Sequence, residues 1–402
     1  MIKLWPIYLN KTFYNTKFLV RKNKYMFIKF YIQKLKKLRK RDIIYLYMAE
    51  KTYFDQRNYD CTIKLRQLLK ELPTICNEYF LGIENRTAIL TRLGYAQDLK
   101  IFFKFLCAEC AEFVEIKDVR RFGYDDLRKV ETFHIEMFLN YLTAFEVDGT
   151  QYCNSTKTKA RKLATIKSFF KYNYNKDHIS ADPASKVLSL KLHDKAIIRL
   201  EIDEVSRLLD NVENGAGLTP KQLALQAKTK KRDVAILTLF LGTGIRISEL
   251  VGIDIKDLDF NVNGFKITRK GGNQTILYFS DEVAQALDDY LTERSKNPLL
   301  DDEPALFTSL QNKRITVRAV ENLVKKYASI TTPLKHITPH KLRSTYGTNL
   351  YKETNDIYVV AEVLGHKDIN TTKKHYAAIS DEIKRNAARK VTLRNNNNSD
   401  YS

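Results

Sequence analysis

The chain has 402 residues, 44% of them hydrophobic and 11% aromatic, which is apolar material enough for two ordinary domains and excludes global disorder. Lys and Arg outnumber Asp and Glu by 68 to 47, a formal charge of +21 at pH 7, and such a balance favours a polyanionic partner, nucleic acid first. The longest apolar run, VAILTLFLGTGI at 234–245, is far short of the ~20 residues of a membrane span.

Charge is concentrated at the start. Residues 1–41 hold thirteen Lys or Arg and no acid, leaving +8 for the remainder. Residues 1–47 read as a basic N-terminal extension without a signal-peptide pattern. It is either a flexible arm for DNA or sequence read in frame upstream of a start at Met48. From 48 to about 185 the chain reads as nearly all helix: TAILTRLGYAQDLKIFFKFLCAEC (87–110) and VETFHIEMFLNYLTAF (130–145) both carry apolar stripes at helical spacing. The five cysteines are sparse and suit a reducing cytoplasm. CAEC (107–110) has metal-ligand spacing but no second pair, and reads as the edge of a core helix.

NSTKTKARKLATIKSFFKYNYN (154–175) opens on the cap candidates Asn154 and Ser155. Ala160, Leu163, Ile166, Phe169 and Phe170 form its apolar stripe. Lys157, Lys159, Arg161, Lys162, Lys167 and Lys171 fill much of the rest without one acid, a composition suited to phosphate contacts. A connection over 186–197 then leads to LEIDEVSRLLDNVEN, an amphipathic helix that opens a second unit. KKRDVAILTLFLGTGIRISEL reads as a buried helix, a Gly-Thr-Gly turn and another helix. GFKITRKGGNQTILYFS (264–280) alternates as a hairpin around Gly271-Gly272. DIKDLD (254–259) reads as a solvated turn, and RNNNNSDYS closes the chain as a polar tail.

No Walker loop, His-Glu-x-x-His site or nucleophile elbow is present. Phosphoryl transfer without metal needs fixed cations and a protein nucleophile, and the second unit offers both. Thr338 as N-cap and Pro339 at the first helical position put His340 and Arg343 on one face of a first turn, beside free amides and the positive helix end. The competing reading is a capped surface helix whose His and Arg face water. Arg246 follows Gly244 at a turn into a helix, Lys270 stands beside the hairpin turn, His366 follows Gly365, and Tyr376 lies in a cationic stretch.

LGTGIRISELVGI, the lysine of TRKGGN, HKLRSTYGT and VLGHKDINTTKKHYAAI, in that order, closely resemble the tyrosine recombinase (phage integrase) family, which includes bacterial Xer recombinases and integrases of mobile elements. The resemblance covers roughly 195–390. It implies a mainly α fold with a small β-sheet: a helical, DNA-clamping core-binding domain at 48–185, a linker at 186–197, an α+β catalytic domain at 198–390 and a disordered tail at 391–402. It implies that Arg246, Lys270, His340, Arg343, His366 and Tyr376 are catalytic. Arg246, His340, Arg343 and His366 would surround the scissile phosphate, with Glu249 supporting Arg246. Lys270 would be the proton donor to the leaving 5′-oxygen, and Tyr376 the nucleophile that forms a 3′-phosphotyrosine. No metal or other cofactor is implied. The implied partners are double-stranded DNA with a specific recombination site and further copies of the chain in a tetramer, with no membrane, in a bacterial cytoplasm. Helix 380–391 stands where the family packs one subunit on the next, the alternative being a helix folded back on its own domain. The hairpin departs from the frequent Gly-Lys-Gly-x-Lys-x-Arg: Arg269 precedes the lysine and no cation follows, which leaves Arg269 or Lys266 as fallback for Lys270. Tyr346 and Tyr351 are the nearby tyrosines that compete with Tyr376. The alternative functions are an inactive DNA-binding regulator on the same scaffold and strand relaxation of the type IB topoisomerase kind.

Overall fold

The computed structural model describes residues 52–147, 149–191, 198–269 and 272–365. The basic extension 1–47, the tail 391–402 and the site candidates Lys270, His366 and Tyr376 lie outside the described residues. The chain divides into two compact units, residues 1–67 and 68–402. To the first belongs most of α1 (Tyr53–Leu69), started by Thr52, whose hydroxyl accepts from the Asp55 amide while the Asp55 carboxylate accepts from the Thr52 amide.

The second unit begins with α2 (Ile75–Gly82), α3 (Ile89–Glu109), the short α4 (Tyr124–Arg128) and α5 (Thr132–Tyr141). A small hairpin of β1 (Phe145–Val147) and β2 (Thr150–Tyr152) follows, and then α6 (Thr156–Asn175). Aromatic packing makes the core here. Ala96, Leu99, Phe103 and Leu106 of α3 recur at helical spacing and are fully buried. They face α6, whose Ile166, Phe169 and Phe170 are equally buried. Phe169 meets Tyr79 of α2 and Phe103 edge-on at 5.2 and 5.7 Å between ring centroids, and Phe102 meets Phe138 of α5 at 5.1 Å. Of the two cap candidates, Ser155 is used: its hydroxyl accepts from the Thr158 amide at 3.3 Å. Cys110 is buried at the end of α3, the core-edge position expected of CAEC. The β1–β2 hairpin is an exception within a stretch read as nearly all helix. Its signal was the Asp-Gly dipeptide at 148–149 between residues that pair in register, Val147 with Thr150 and Phe145 with Tyr152.

The next elements are α7 (Ile202–Asn214), α8 (Pro220–Gln226) and α9 (Lys230–Thr243). Thr219 and Gln222 exchange a reciprocal capping box at the start of α8. Ala235, Ile236, Leu237, Leu239 and Phe240 of α9 are all fully buried, so this helix is apolar all round and others wrap it. Then come α10 (Ile247–Val251), β3 (Leu258–Asp259), β4 (Gly264–Thr268) and β5 (Gln274–Tyr278), an antiparallel sheet in that order. The expected hairpin is present, with Phe265 opposite Leu277 and Thr268 opposite Gln274. DIKDLD is not a solvated turn: Asp254 pairs with Arg314, and Leu258 and Asp259 supply the third strand.

The described chain closes with α11 (Asp281–Arg294), α12 (Val317–Thr331), α13 (Pro339–Thr354) and α14 (Ile357–Leu364). α7, α11 and α13 pack on α9, and α14 packs on α13. Asp233, 1% exposed, ties the start of α9 to α12 by accepting from the hydroxyls of Thr229 and Tyr327, both at 3.1 Å, with Arg232 beside it at 2.8 Å. No described helix is long and apolar enough to cross a membrane.

The aromatic joint between α3 and α6 yields a direct test. Phe169→Ala leaves a cavity bounded by Tyr79, Phe103 and Phe170. The expected loss is about 3–5 kcal/mol in urea unfolding, and a loss below about 1 kcal/mol would contradict this packing.

Candidate active site

Helix α9 stops at Gly244, whose φ of +61° is left-handed and whose amide returns to the Phe240 carbonyl. A side chain at this glycine would also collide with the Tyr346 ring and Leu364, so backbone conformation and close approach both demand glycine. The reversal delivers Arg246 to the N-cap of α10. Its amide donates to Glu249 Oε2 at 3.0 Å, its Nη1 donates to Glu249 Oε1 at 2.8 Å, and its Nη2 donates to the Gly365 carbonyl at 3.0 Å. Glu249 is 3% exposed, and the paired guanidinium is what makes a buried carboxylate tolerable there.

Helix α13 begins with Thr338 as N-cap and Pro339 at the first helical position, as expected, but the Thr338 hydroxyl accepts no capping bond. The Thr338 carbonyl instead takes the amides of Lys341 and Leu342 at 2.8 and 3.1 Å. His340 is exposed on the first turn. Arg343 is buried at 5% exposure and donates Nη1 to the Gly244 carbonyl and Nη2 to the Leu364 carbonyl. The competing picture of a surface helix with its arginine in water therefore fails for Arg343.

A third arginine reaches the same place. Arg269, at the end of β4, donates Nη2 to the Val363 carbonyl at 2.8 Å and Nη1 to the Glu362 carbonyl at 3.3 Å. Burial pulls its pKa down, the Glu249 carboxylate opposes that, and the Arg246 charge adds to it. The last carbonyls of α14, residues 362–365, are thus held by Arg269, Arg343 and Arg246 from three different elements. A helix C-terminus exposes unpaired carbonyls and the negative end of its dipole, which suits cations.

The structure therefore brings Arg246, Glu249 and Arg343 together, with His340 one helical turn from Arg343. Lys270 and His366 follow Arg269 and Gly365 directly in the chain, and with Tyr376 they lie outside the described residues. Tyr346 is half-buried against Gly244 and Leu364, and burial pushes its phenol pKa up. Tyr346 and Tyr351 pack on an apolar cluster of Val360 and Leu364, a poor setting for a phenolate. Sequence reasoning named Arg269 only as a fallback for Lys270 and missed its hold on α14, because the carbonyls it takes lie 93 and 94 residues away in sequence.

The basic row of α6 is not one surface. Lys162 is buried and pairs with Asp98 of α3 at 2.9 Å; Asp98, 1% exposed, also accepts from both Nη atoms of Arg161 and from the Thr165 hydroxyl. Lys162 is thereby corrected from a surface contact to an interior tether, since an unpaired Asp98 would be costly. Lys167 donates to the Val187 carbonyl at 2.7 Å and Lys159 to the Thr143 hydroxyl at 2.6 Å, while Lys157 is exposed.

The sequence profile of the Phage integrase family matches residues 199–382. The Tyrosine recombinase XerC of Caldanaerobacter subterraneus subsp. tengcongensis is 32% identical over 348 residues, covering 83% of this chain and 92% of the relative. The Tyrosine recombinase XerC of Thermodesulfovibrio yellowstonii is 36% identical over 223 residues, 54% of this chain and 70% of the relative. Among solved structures, the XerH site-specific recombinase bound to palindromic difH substrate aligns at a TM-score of 0.59 and 18% identity, covering 82% of this chain and 92% of that one. The Tn1549 transposon integrase in complex with circular intermediate DNA aligns at 0.53 and 21% identity, covering 77% and 99%. Both establish likeness of fold.

Glu249 holds Arg246 by two charge-assisted bonds, so Glu249→Ala is expected to cost roughly 2 kcal/mol in urea unfolding. Glu249→Gln keeps an acceptor and should lose less; no loss in either variant would mean the charge and bonds at this position are immaterial.

Proposed function

We propose a residue-level mechanism for a chain that belongs to the phage integrase family, the tyrosine recombinases, and is a site-specific DNA recombinase. The observation that carries it is the convergence of the Arg246 and Arg343 guanidiniums on one small surface, bounded by the carbonyls of Gly244, Leu364 and Gly365. Arginine's planar fork matches a phosphate as it matches paired carbonyls. In this reading the scissile phosphate of double-stranded DNA docks beside these carbonyls, and His340 and His366 donate to its oxygens.

Tyr376 is the nucleophile. A phenol has an ordinary pKa of ~10, so attack at neutral pH needs its anion stabilised, which nearby guanidiniums supply. Its oxygen bonds to phosphorus, the bond to the 5′-oxygen breaks, and Lys270 gives that oxygen a proton. A 3′-phosphotyrosine and a free 5′-hydroxyl result. A 5′-hydroxyl from a second duplex reverses the step and joins the strands in the new order. The phosphodiester's bond energy is kept in the tyrosine ester, so no nucleotide cofactor is consumed.

The helices of 48–185 act as the core-binding domain, joined through 186–197 to a catalytic domain at 198–390. Lys157, Lys159 and the exposed side of Arg161 face the DNA backbone, with Lys167 at the edge of that surface. Four copies assemble on two recombination sites, in the cytoplasm of a bacterial cell.

Two measurements test this. With EDTA present, wild type is expected to give a denaturation-resistant protein–DNA adduct on nicked suicide duplexes, and Tyr376→Phe none. Binding without adduct in the wild type would favour the inactive regulator, and an adduct in the mutant would place the nucleophile on another tyrosine. Lys157→Ala is expected to lower the salt slope of DNA binding by about 1, whereas Lys162→Ala leaves that slope unchanged and lowers stability instead.

A further inference from the structure

Arg269 directly precedes Lys270 in the chain, and its backbone and side chain do two different things. Its amide donates to the Asn273 carbonyl at 2.8 Å and its carbonyl accepts from Gly272 at 3.0 Å, so its backbone closes the hairpin turn just beyond the Thr268–Gln274 pair. Its guanidinium crosses to α14 and takes the carbonyls of Val363 and Glu362. Gly365, at φ +61°, leaves room for it: a Cβ there would run into the guanidinium. Its Nε–H is buried without an acceptor among the described residues, as are those of Arg57, Arg92 and Arg294, so the two carbonyl bonds are what fix the side chain.

We propose that Arg269 is a positioning residue that fixes the hairpin turn to the C-terminal end of α14, the same helix end that holds Arg246 and Arg343. The next residue in the chain is Lys270, so the inference rests on the reading of Lys270 as the proton donor. Proton donor and phosphate-binding arginines then share one frame of reference. Without the guanidinium this tie to α14 is lost, and the donor loses its register with the leaving oxygen. Misplacement by about 1 Å can cost on the order of 100-fold in rate, within the 10²–10⁴-fold that general acid catalysis typically contributes.

The experiment uses the full chain and a nicked duplex whose sequence the chain selects from a randomised pool, with the cleaved phosphate mapped from the wild-type adduct. Two versions carry oxygen or sulfur at the 5′-bridging position of that phosphate. Oxygen must be protonated as the P–O5′ bond breaks, whereas sulfur leaves as a thiolate, because a thiol's pKa lies near ~8.5. Arg269→Ala is expected to cleave oxygen-bridged DNA about 100-fold more slowly than wild type and sulfur-bridged DNA within a few-fold of it, in parallel with Lys270→Ala. Normal cleavage of the sulfur substrate also shows that the variant is folded. Arg269→Lys, which can satisfy one carbonyl but not bridge two, should fall between. The proposal is overturned if Arg269→Ala matches wild type on oxygen. It is equally overturned if Arg269→Ala stays slow on sulfur while Lys270→Ala is restored, for then Arg269 acts through the arginine pair or the fold. If Lys270→Ala itself stays slow on sulfur, the donor role of Lys270 falls, and the anchoring role of Arg269 falls with it.

Discussion

The end of one short helix organises the site. α14 ends at Leu364, where the Gly365 amide returns to the Glu362 carbonyl, and a helix end leaves its final carbonyls without the next turn's amides. Arg246, Arg269 and Arg343 take them instead, from the start of α10, the tip of the sheet and the first half of α13. Three like charges so close together repel, and the arrangement holds because each guanidinium finds an acceptor and because Glu249 lies buried among them. Gly244 and Gly365 are the geometric condition: both have left-handed backbones, and both sit where a side chain would strike a neighbour. Removing either glycine's freedom would move an arginine.

The same device recurs away from the site. A chain with a large cation excess nevertheless buries a few carboxylates, and each gathers several donors: Asp98 holds Arg161, Lys162 and Thr165, and Asp233 holds Arg232, Thr229 and Tyr327. A buried acid so surrounded joins helices far apart in sequence, α3 to α6 and α9 to α12. Such joints add little net stability over a well-packed apolar contact, but breaking one is expensive because the other charge is stranded. They fix which helix faces meet. Basic residues in this protein therefore serve two ends, and composition alone cannot separate an interior tether from a surface for DNA.

That is why the sequence was readable in some places and not in others. Signals carried by neighbouring residues came through: the Ser155 cap, the apolar stripe of α6, the Gly-Gly hairpin and the Pro339 start of α13 all appear where local chemistry puts them. The family motifs placed Arg246, Glu249 and Arg343, and their meeting follows from two glycine turns visible in those motifs. Lys162 went wrong because its partner, Asp98, lies 64 residues away in sequence, and a basic helical face looks the same with or without it. Asp254 was misread for the same reason, its partner Arg314 being 60 residues away. The Thr338 hydroxyl shows the reverse error, a local rule that the structure leaves unused.

A helix C-terminus and a phosphodiester present the same face to an arginine: oxygens with partial or full negative charge, spaced for a planar fork. Guanidiniums held by carbonyls are already oriented before any DNA arrives, so the cost of organising them is met when the protein folds. Electrostatic catalysis depends on that order of events, because donors that must reorganise during the reaction lose much of their advantage. Lysines could not hold the positions as well, since a rotating ammonium has no plane to fix. In the proposed mechanism the arginines are thus as much a part of the fold as of the chemistry, and Arg269 joins the hairpin to the helix end that also holds Arg246 and Arg343.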